Sequence, residues 1–170
     1  MPLLLLINFY SIGRMISFLA DVPYFLDQLA KLHGQEWGHL YPDWDFSKAR
    51  SEFLGEKADG SLPATLVMHE GLELMGSVSV VFGDCPTRPE WDPWLASLYV
   101  VEAWRCRGYA LELVHAASAL AAATGVTRIF VFTESAENLF FQSGFEMLDR
   151  TELQGVPIRI LTKSLSAPNL

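Results

Sequence analysis

The stretch LASLYVVEAWRCRGYALELV, Leu95 to Val114, decides the fold. Its first part belongs to a run, Trp94 to Val101, that is apolar on both faces, as a central strand covered on both sides should be. From Gly108 to Thr124 the chain is Ala-rich with helical spacing, and Gly125 ends that helix. Between the two lies Arg105-Cys106-Arg107-Gly108-Tyr109-Ala110. Amides at a helix N-terminus lack intrahelical partners, and the helix dipole favours an anion there. Gly108 lets the backbone approach closely, Ala110 keeps the next turn small, and Arg105 and Arg107 add positive charge. The plainer reading is a basic loop ahead of an amphipathic helix, and the hexapeptide alone does not separate the two. It is neither the G-x-G-x-x-G dinucleotide fingerprint nor a Walker loop.

Outward from this junction the chain alternates strands and helices. Met15 to Leu19 reads as a short strand. Asp21 is expected to cap a helix with Val22, Phe25, Leu26, Leu29 and Leu32 on one stripe. Phe46 to Glu56 reads as a second helix with Ala49, Phe53 and Leu54 inward. Ala64 to His69 and Leu74 to Phe82 flank a turn at Glu70-Gly71 and predict a hairpin. Asp84 to Pro93 is a Pro-rich loop. Arg128 to Thr133 reads as another buried strand, followed by a short helix from Ser135. Phe145 to Arg150 and Ile158 to Thr162 close the sheet. There is no repeat and no linker. The class is α/β with a mixed sheet, organised as an extension over residues 1–14, one domain over 15–165 and a tail over 166–170.

The chain has 170 residues, 51% hydrophobic and 19% charged, enough to bury a sizeable core. Its formal net charge of -8 argues against nucleic acid and favours cationic partners. The 2 cysteines, Cys85 and Cys106, have no metal-like spacing and imply a reduced, cytoplasmic protein. The apolar run Leu3 to Ile7 has no basic segment before it and Arg14 soon after it. It fits neither a signal peptide nor a transmembrane helix, which needs about 20 apolar residues. A chain beginning at Met15 is expected to fold like the full one.

The segment ENLFFQSG, Glu137 to Gly144, differs only by Phe140 from a viral protease site that carries Tyr there. It reads as native. Glu134 and Glu137 suit a helix N-terminus, Leu139 and Phe140 face inward, and Gly144 ends the helix. A protease that needs an extended substrate is expected not to cut it.

Arg105, Gly108 and Ala110 match the signature Arg/Gln-x-x-Gly-x-Gly/Ala, and Leu139, Phe140, Gly144 and Phe145 match a Leu-Tyr-x-x-x-Gly-Phe helix with Phe at the Tyr position. On these motifs and the order of elements, the chain from about Met15 to Lys163 resembles the GCN5-related N-acetyltransferase (GNAT) superfamily. The resemblance implies a mixed central sheet of six to seven strands flanked by about four helices, split in a V between two central parallel strands. It implies acetyl-CoA in that V, with main chain at Leu98, Tyr99 and Val100 against the pantetheine arm. The pyrophosphate would sit on the amides of Arg105, Cys106, Arg107, Gly108, Tyr109 and Ala110; Thr133 would also contact the cofactor, and Phe140 would sit beside its sulfur. In many members the Tyr at position 140 protonates the departing thiolate, which Phe140 cannot do.

The implied reaction moves an acetyl group from acetyl-CoA to a primary amine of a small molecule or peptide, by direct attack in a ternary complex. The alternative is a non-catalytic acyl-CoA-binding or regulatory module on the same fold. An amine acceptor needs a base, because stripping a lysine-like ammonium at neutral pH costs about 4–5 kcal/mol. The candidates are Glu36 and His39 in HGQEWGHLYP and Asp92 in the Pro-rich loop; Glu90 lies beside Asp92. The plainer reading of His39 is an exposed loop histidine. His115 reads as a helix-surface or core residue, and His33 and His69 have no evident partner. Trp37, Trp44 and Trp91 are candidate walls of an acceptor pocket, though aromatics at this density usually build core. Cys106 is disfavoured as a nucleophile, because its motif already has a non-covalent role. No metal, nucleic-acid or membrane partner is expected, and a homodimer is compatible with the pattern.

Overall fold

The structure, a computed structural model, describes residues 13–166; the run Leu3 to Ile7 lies outside the described residues. Among the described residues seven strands form one sheet: β1 (Arg14–Phe18), β2 (Ala64–Glu70), β3 (Glu73–Val81), β4 (Trp94–Val100), β5 (Arg128–Thr133), β6 (Glu146–Leu153) and β7 (Val156–Ser164). Four helices accompany them: α1 (Leu26–Trp37), α2 (Phe46–Leu54), α3 (Tyr109–Ala123) and α4 (Glu137–Gln142). The strand order is β1-β2-β3-β4-β5-β7-β6. Only β4 and β5 run parallel; the other neighbours are antiparallel.

Each sheet face buries its own alternate residues, as the two-residue period of a strand requires. On one face Leu66, Met68, Met75, Val78 and Leu95 pack against Leu113, Val114, Ala117 and Ala121 of α3. The small alanines let that helix lie close. On the other face Val67 and Leu74 pack under α1 and α2 through Leu29, Ala30, Ala49 and Phe53. A third cluster joins Leu40, Cys85, Trp94, Phe130 and Ile160 around the β4–β5 junction.

Several expectations are corrected here. Leu19–Asp21 and Pro23–Phe25 form two short 3-10 turns, so α1 starts at Leu26 and Asp21 does not cap it. Helix α2 is capped by Asp45, which accepts from the Lys48 amide, and stops at Leu54. Leu54 is therefore 60% exposed rather than inward. Strand β1 begins one residue early, at Arg14, whose guanidinium pairs with Glu112 at 3.1 Å and lies 4.4 Å from the Tyr109 ring centre. That contact ties the first strand to the start of α3. His69 has partners, Ser17 Oγ and the Gly71 carbonyl, both at 3.0 Å from its ring nitrogens. His115 is exposed on α3. The segment Glu137–Gln142 is helical, with Phe140 buried and Leu139 half-buried.

The sheet opens between its two parallel strands. Their single register pair is Trp94 with Phe130, supported by the Phe130 amide donating to the Pro93 carbonyl at 3.1 Å. Trp91 stacks on Phe130 with ring centres 5.5 Å apart, and Trp94 closes on the same ring at 5.6 Å. This aromatic plug holds the closed end. Beyond it β4 and β5 diverge, and a bulge in β4 helps them do so. Ala96 pairs with Ser79 and Tyr99 with Ser77, so Ser97 and Leu98 together face the single residue Val78. Ser97 takes φ 53, a left-handed conformation that costs a non-glycine residue free energy and that clusters at functional positions. Gly76 accommodates the resulting close approach, because a Cβ there would meet the Tyr99 carbonyl at 2.7 Å.

Candidate functional site

The divergence of β4 and β5 makes a cleft of about 390 Å³. Leu95 to Leu98 form one wall and Val131 to Ala136 the other, with Phe140 at its base. Phe140 is 3% exposed and meets Phe145 edge-on at 5.6 Å. Glu36 and His39 stand on the α1 side of this cleft. His39 Nε2 lies 2.7 Å from Glu134 Oε1, so it spans the opening from the α1–α2 connection to the β5–α4 loop. The Glu134 carbonyl in turn accepts from Arg159, which also pairs with Glu137 at 3.3 Å.

A second cleft, of about 530 Å³, opens off the first. Trp37, Leu40, Tyr41, Asp84, Ala96 and Ser97 belong to both. Asp84 is the acidic group at that junction. The Tyr41 hydroxyl donates to its backbone carbonyl at 2.9 Å and lies 3.1 Å from Oδ1. Asp84 keeps part of its surface open to the clefts but is crowded on its other sides. That burial pushes its carboxyl up to about 7, with Glu52 and Asp92 adding repulsion and the Tyr41 hydrogen bond opposing it. The sequence offered no signal for Asp84 beyond its place in a loop: its partner is 43 residues away.

Of the three bases expected from sequence, Glu36 and His39 reach the first cleft and Asp92 lines neither. Asp92 is exposed, and its Oδ1 accepts from the Gly83 amide at 2.7 Å. That bond ties Asp92 to the residue next to Asp84. Trp37 and Trp44 do wall the second cleft, whereas Trp91 belongs to the aromatic plug.

The expected cofactor residues divide into two groups. Leu98, Thr133 and Phe140 line the first cleft. Tyr99 and Val100 continue β4 past it, and Arg105 folds back on them: its Nε donates to the Val100 carbonyl at 2.9 Å and its guanidinium lies 5.7 Å from the Tyr99 ring centre. The Arg105 amide is also taken, by the Glu102 carbonyl at 3.2 Å. Arg107 lies over the Trp104 ring at 5.0 Å. Cys106 has φ 60 and is exposed, and Gly108 has φ 83 immediately before α3. The first intrahelical bond runs from the Glu112 amide to the Gly108 carbonyl, so the amides of Gly108, Tyr109 and Ala110 precede the ladder. A Cβ on Gly108 would meet nothing within 4 Å. The turn is thus an open, amide-lined cradle at the positive end of a 15-residue helix.

The known proteins this chain is similar to share this architecture. A GnaT-family acetyltransferase of Bordetella pertussis is 17% identical over 91% of this chain and 97% of its own, with a TM-score of 0.70. An aminoglycoside 6'-acetyltransferase type Ii is 18% identical over 92% and 99% of the two chains, with a TM-score of 0.66. A ribosomal L7/L12 alpha-N-protein acetyltransferase in complex with coenzyme A is 14% identical over 92% and 97%, with a TM-score of 0.65. At such identities the likeness is one of fold. No curated protein sequence matches the chain. No helix among the described residues is long and apolar enough to cross a membrane. The sequence model of the acetyltransferase (GNAT) family matches residues 26–145, which contain the opened strand pair, the amide cradle and the Phe140 helix, and the chain belongs to that family.

Proposed function

We propose that this acetyltransferase moves the acetyl group of acetyl-CoA to a primary amine of a small molecule or peptide, with Asp84 accepting the amine's proton. The observation that carries this reading is the place of Asp84: a carboxylate with a raised proton affinity where the two clefts meet. The residues fit acetyl-CoA. The amides of Cys106 to Ala110 offer an anion site, the open space over Gly108 admits a phosphate, and the split between β4 and β5 takes a narrow chain down to Phe140. The coenzyme A complex of a structural neighbour, and its action and that of another on amines, support the same donor and acceptor classes. The enzyme is read as cytoplasmic, working alone or as a homodimer.

Bound acetyl-CoA supplies the thioester. Asp84 takes a proton from the incoming ammonium, directly or through one water, and leaves a neutral nitrogen beside the bulged Ser97 backbone. The C–N bond forms as the C–S bond breaks. The acylated nitrogen then gives up its second proton, which passes through water to the departing sulfur because Phe140 offers none; a thiol of ordinary pKa about 8.5 makes its thiolate a tolerable leaving group in the interval. Incubating the protein with acetyl-CoA and a panel of primary amines should release free thiol only when a suitable amine is present. Coenzyme A binding by calorimetry with no thiol release across the panel would instead make the chain an acyl-CoA-binding module.

Phe140→Tyr tests the leaving-group step. The ring already lines the cleft base, so a hydroxyl there would face the developing thiolate. Placed acids contribute about 10²–10⁴-fold, and one without tuned surroundings should give only a several-fold rise in kcat. Coenzyme A affinity should change little. A variant that melts lower, by the roughly 1–3 kcal/mol cost of a buried unpartnered hydroxyl, and turns over no faster would reduce Phe140 to a wall of the cleft.

A further inference from the structure

The second cleft holds more acidic side chains than one reacting amine requires. Its lining includes Asp43, Glu52, Glu56 and Asp84 against one cation, Lys48. Among the described residues Glu52 has no ion pair. Two of these carboxylates are joined by an aromatic wall. The Tyr41 hydroxyl touches Asp84, the Tyr41 and Trp44 rings lie 6.3 Å apart, and Trp44 Nε1 donates to Glu52 Oε2 at 3.1 Å. An acid, two aromatic faces and a second acid therefore follow one another along the cleft. Carboxylates set among aromatic faces are the chemistry that holds alkylammonium groups.

His33 lines the same cleft beside Glu52 and Trp44. It is 1% exposed, with rings of Trp37, Trp44 and Phe53 at 5.0, 6.1 and 5.2 Å. Its Nε2 is buried without a hydrogen-bond partner, which is uncommon and costs stability. Burial lowers the imidazole pKa to about 4, so His33 stays neutral and adds no repulsion toward a cation. Glu56 is less available: both its oxygens accept from Thr65, at 2.8 and 2.9 Å. Glu52 is the free anchor.

We propose that the acceptor carries two cationic groups: the amine that reacts beside Asp84, and a second ammonium that docks on Glu52 against the Trp44 ring. This rests on the acceptor reading above and narrows it to diamines and related polycations, excluding acceptors that bear a carboxylate near the amine. The aromatic wall between the acids takes the apolar chain joining the two charges.

The test compares α,ω-diaminoalkanes with monoaminoalkanes of equal chain length by thiol release, and repeats the comparison in Glu52→Gln. The glutamine keeps an acceptor for Trp44 Nε1 and removes only the charge. The wild-type protein should prefer the best diamine by about tenfold or more in kcat/KM, and Glu52→Gln should reduce that preference to about twofold. Equal rates for diamines and monoamines in the wild type, or an unchanged preference in the variant, would overturn the proposal. Diamine binding to the coenzyme A complex by calorimetry reads the same site without chemistry. Binding that weakens about tenfold in Glu52→Gln, with no thiol release, would sustain the docking site while the catalytic reading falls. No diamine binding to the wild type would remove the docking site itself.

Discussion

An Asp84→Asn variant should lose about 10²–10⁴ in kcat at pH 7.5, the range that one placed acid–base group contributes. The substitution is close to isosteric. Its side-chain oxygen still accepts from Tyr41, so the loop held by Gly83 and Asp92 stays in place. What disappears is the ability to take a proton at the junction of the clefts. The wild-type rate should rise with pH through about 7, where the Asp84 carboxyl ionises. In the variant that inflection disappears, and the deficit shrinks as pH rises toward the amine's own pKa of about 10.4, where the acceptor arrives neutral without help. A residue acting only by shaping the loop would lose rate equally at every pH. An Asp84→Asn enzyme within threefold of the wild type at pH 7.5, with the inflection intact, would take Asp84 out of the reaction.

The same substitution has the opposite sign for stability. The folded Asp84 carboxyl is raised from the ordinary 3.8 to about 7, so the native state binds its proton more tightly than the unfolded chain does. That contribution is fully present below 3.8 and is lost as pH rises through about 7. Above pH 7 the wild type holds a partly desolvated carboxylate, and Asn relieves it. The rise from 3.8 to about 7 corresponds to a ceiling of about 4 kcal/mol; the part of Asp84 open to the clefts is screened, which leaves about 1–2 kcal/mol. Asp84→Asn should therefore melt higher than the wild type at pH 8 and equal to it near pH 4, even though it is the slower enzyme. A stability cost kept at a position proposed to act in catalysis is a familiar trade.

How much of this was legible in the sequence follows from how local each feature is. The strand from Trp94, the turn at Arg105 to Ala110 and the helix after it are contiguous, so patterning, glycine placement and helix-end chemistry mark out the strand, turn and helix start that the proposed cofactor site uses within one 20-residue stretch. The strand Arg128–Thr133 was equally plain, being apolar and bounded by Gly125 and Ser135. Boundaries failed where a local contest had no sequence marker. Pro23 diverts the chain into a second 3-10 turn, and α1 loses its expected cap at Asp21. The second cleft is lined mainly by residues within 33–56 and 79–86, far apart in the chain. Glu36 and His39 share the segment HGQEWGHLYP, but His39 is engaged by Glu134, 95 residues on, which no linear reading shows. Asp92 is a carboxylate close in sequence to the central strand, and its oxygen accepts from the Gly83 amide. Asp84 lies in the same Pro-rich loop and is singled out only by burial and by Tyr41, neither of which a linear reading displays.

A Gly108→Asp variant should fold and yet bind coenzyme A at least about a hundredfold more weakly. Gly108 sits at φ 83, where an L residue is strained, but aspartate and asparagine tolerate the left-handed region better than most. An added Cβ meets no protein atom within 4 Å, so the melting temperature should fall only modestly. That open space is where the proposed pyrophosphate approaches the backbone, and a carboxylate would enter it at the positive end of α3. Asn at the same position separates the two effects, since it has the same shape and no charge. Gly108→Asn should weaken binding by crowding alone. The further loss in Gly108→Asp is electrostatic: two unit charges about 4 Å apart repel by about 1 kcal/mol in water and about 4 kcal/mol at a protein surface. That predicts a roughly five- to several-hundredfold gap between the two variants, which should narrow as salt is raised. Calorimetry that finds the aspartate and asparagine variants within twofold of each other, both folded, would move the phosphate away from this turn. The exposed side chains of Arg105 and Arg107, now turned onto Tyr99 and Trp104, would then be the place to look for it.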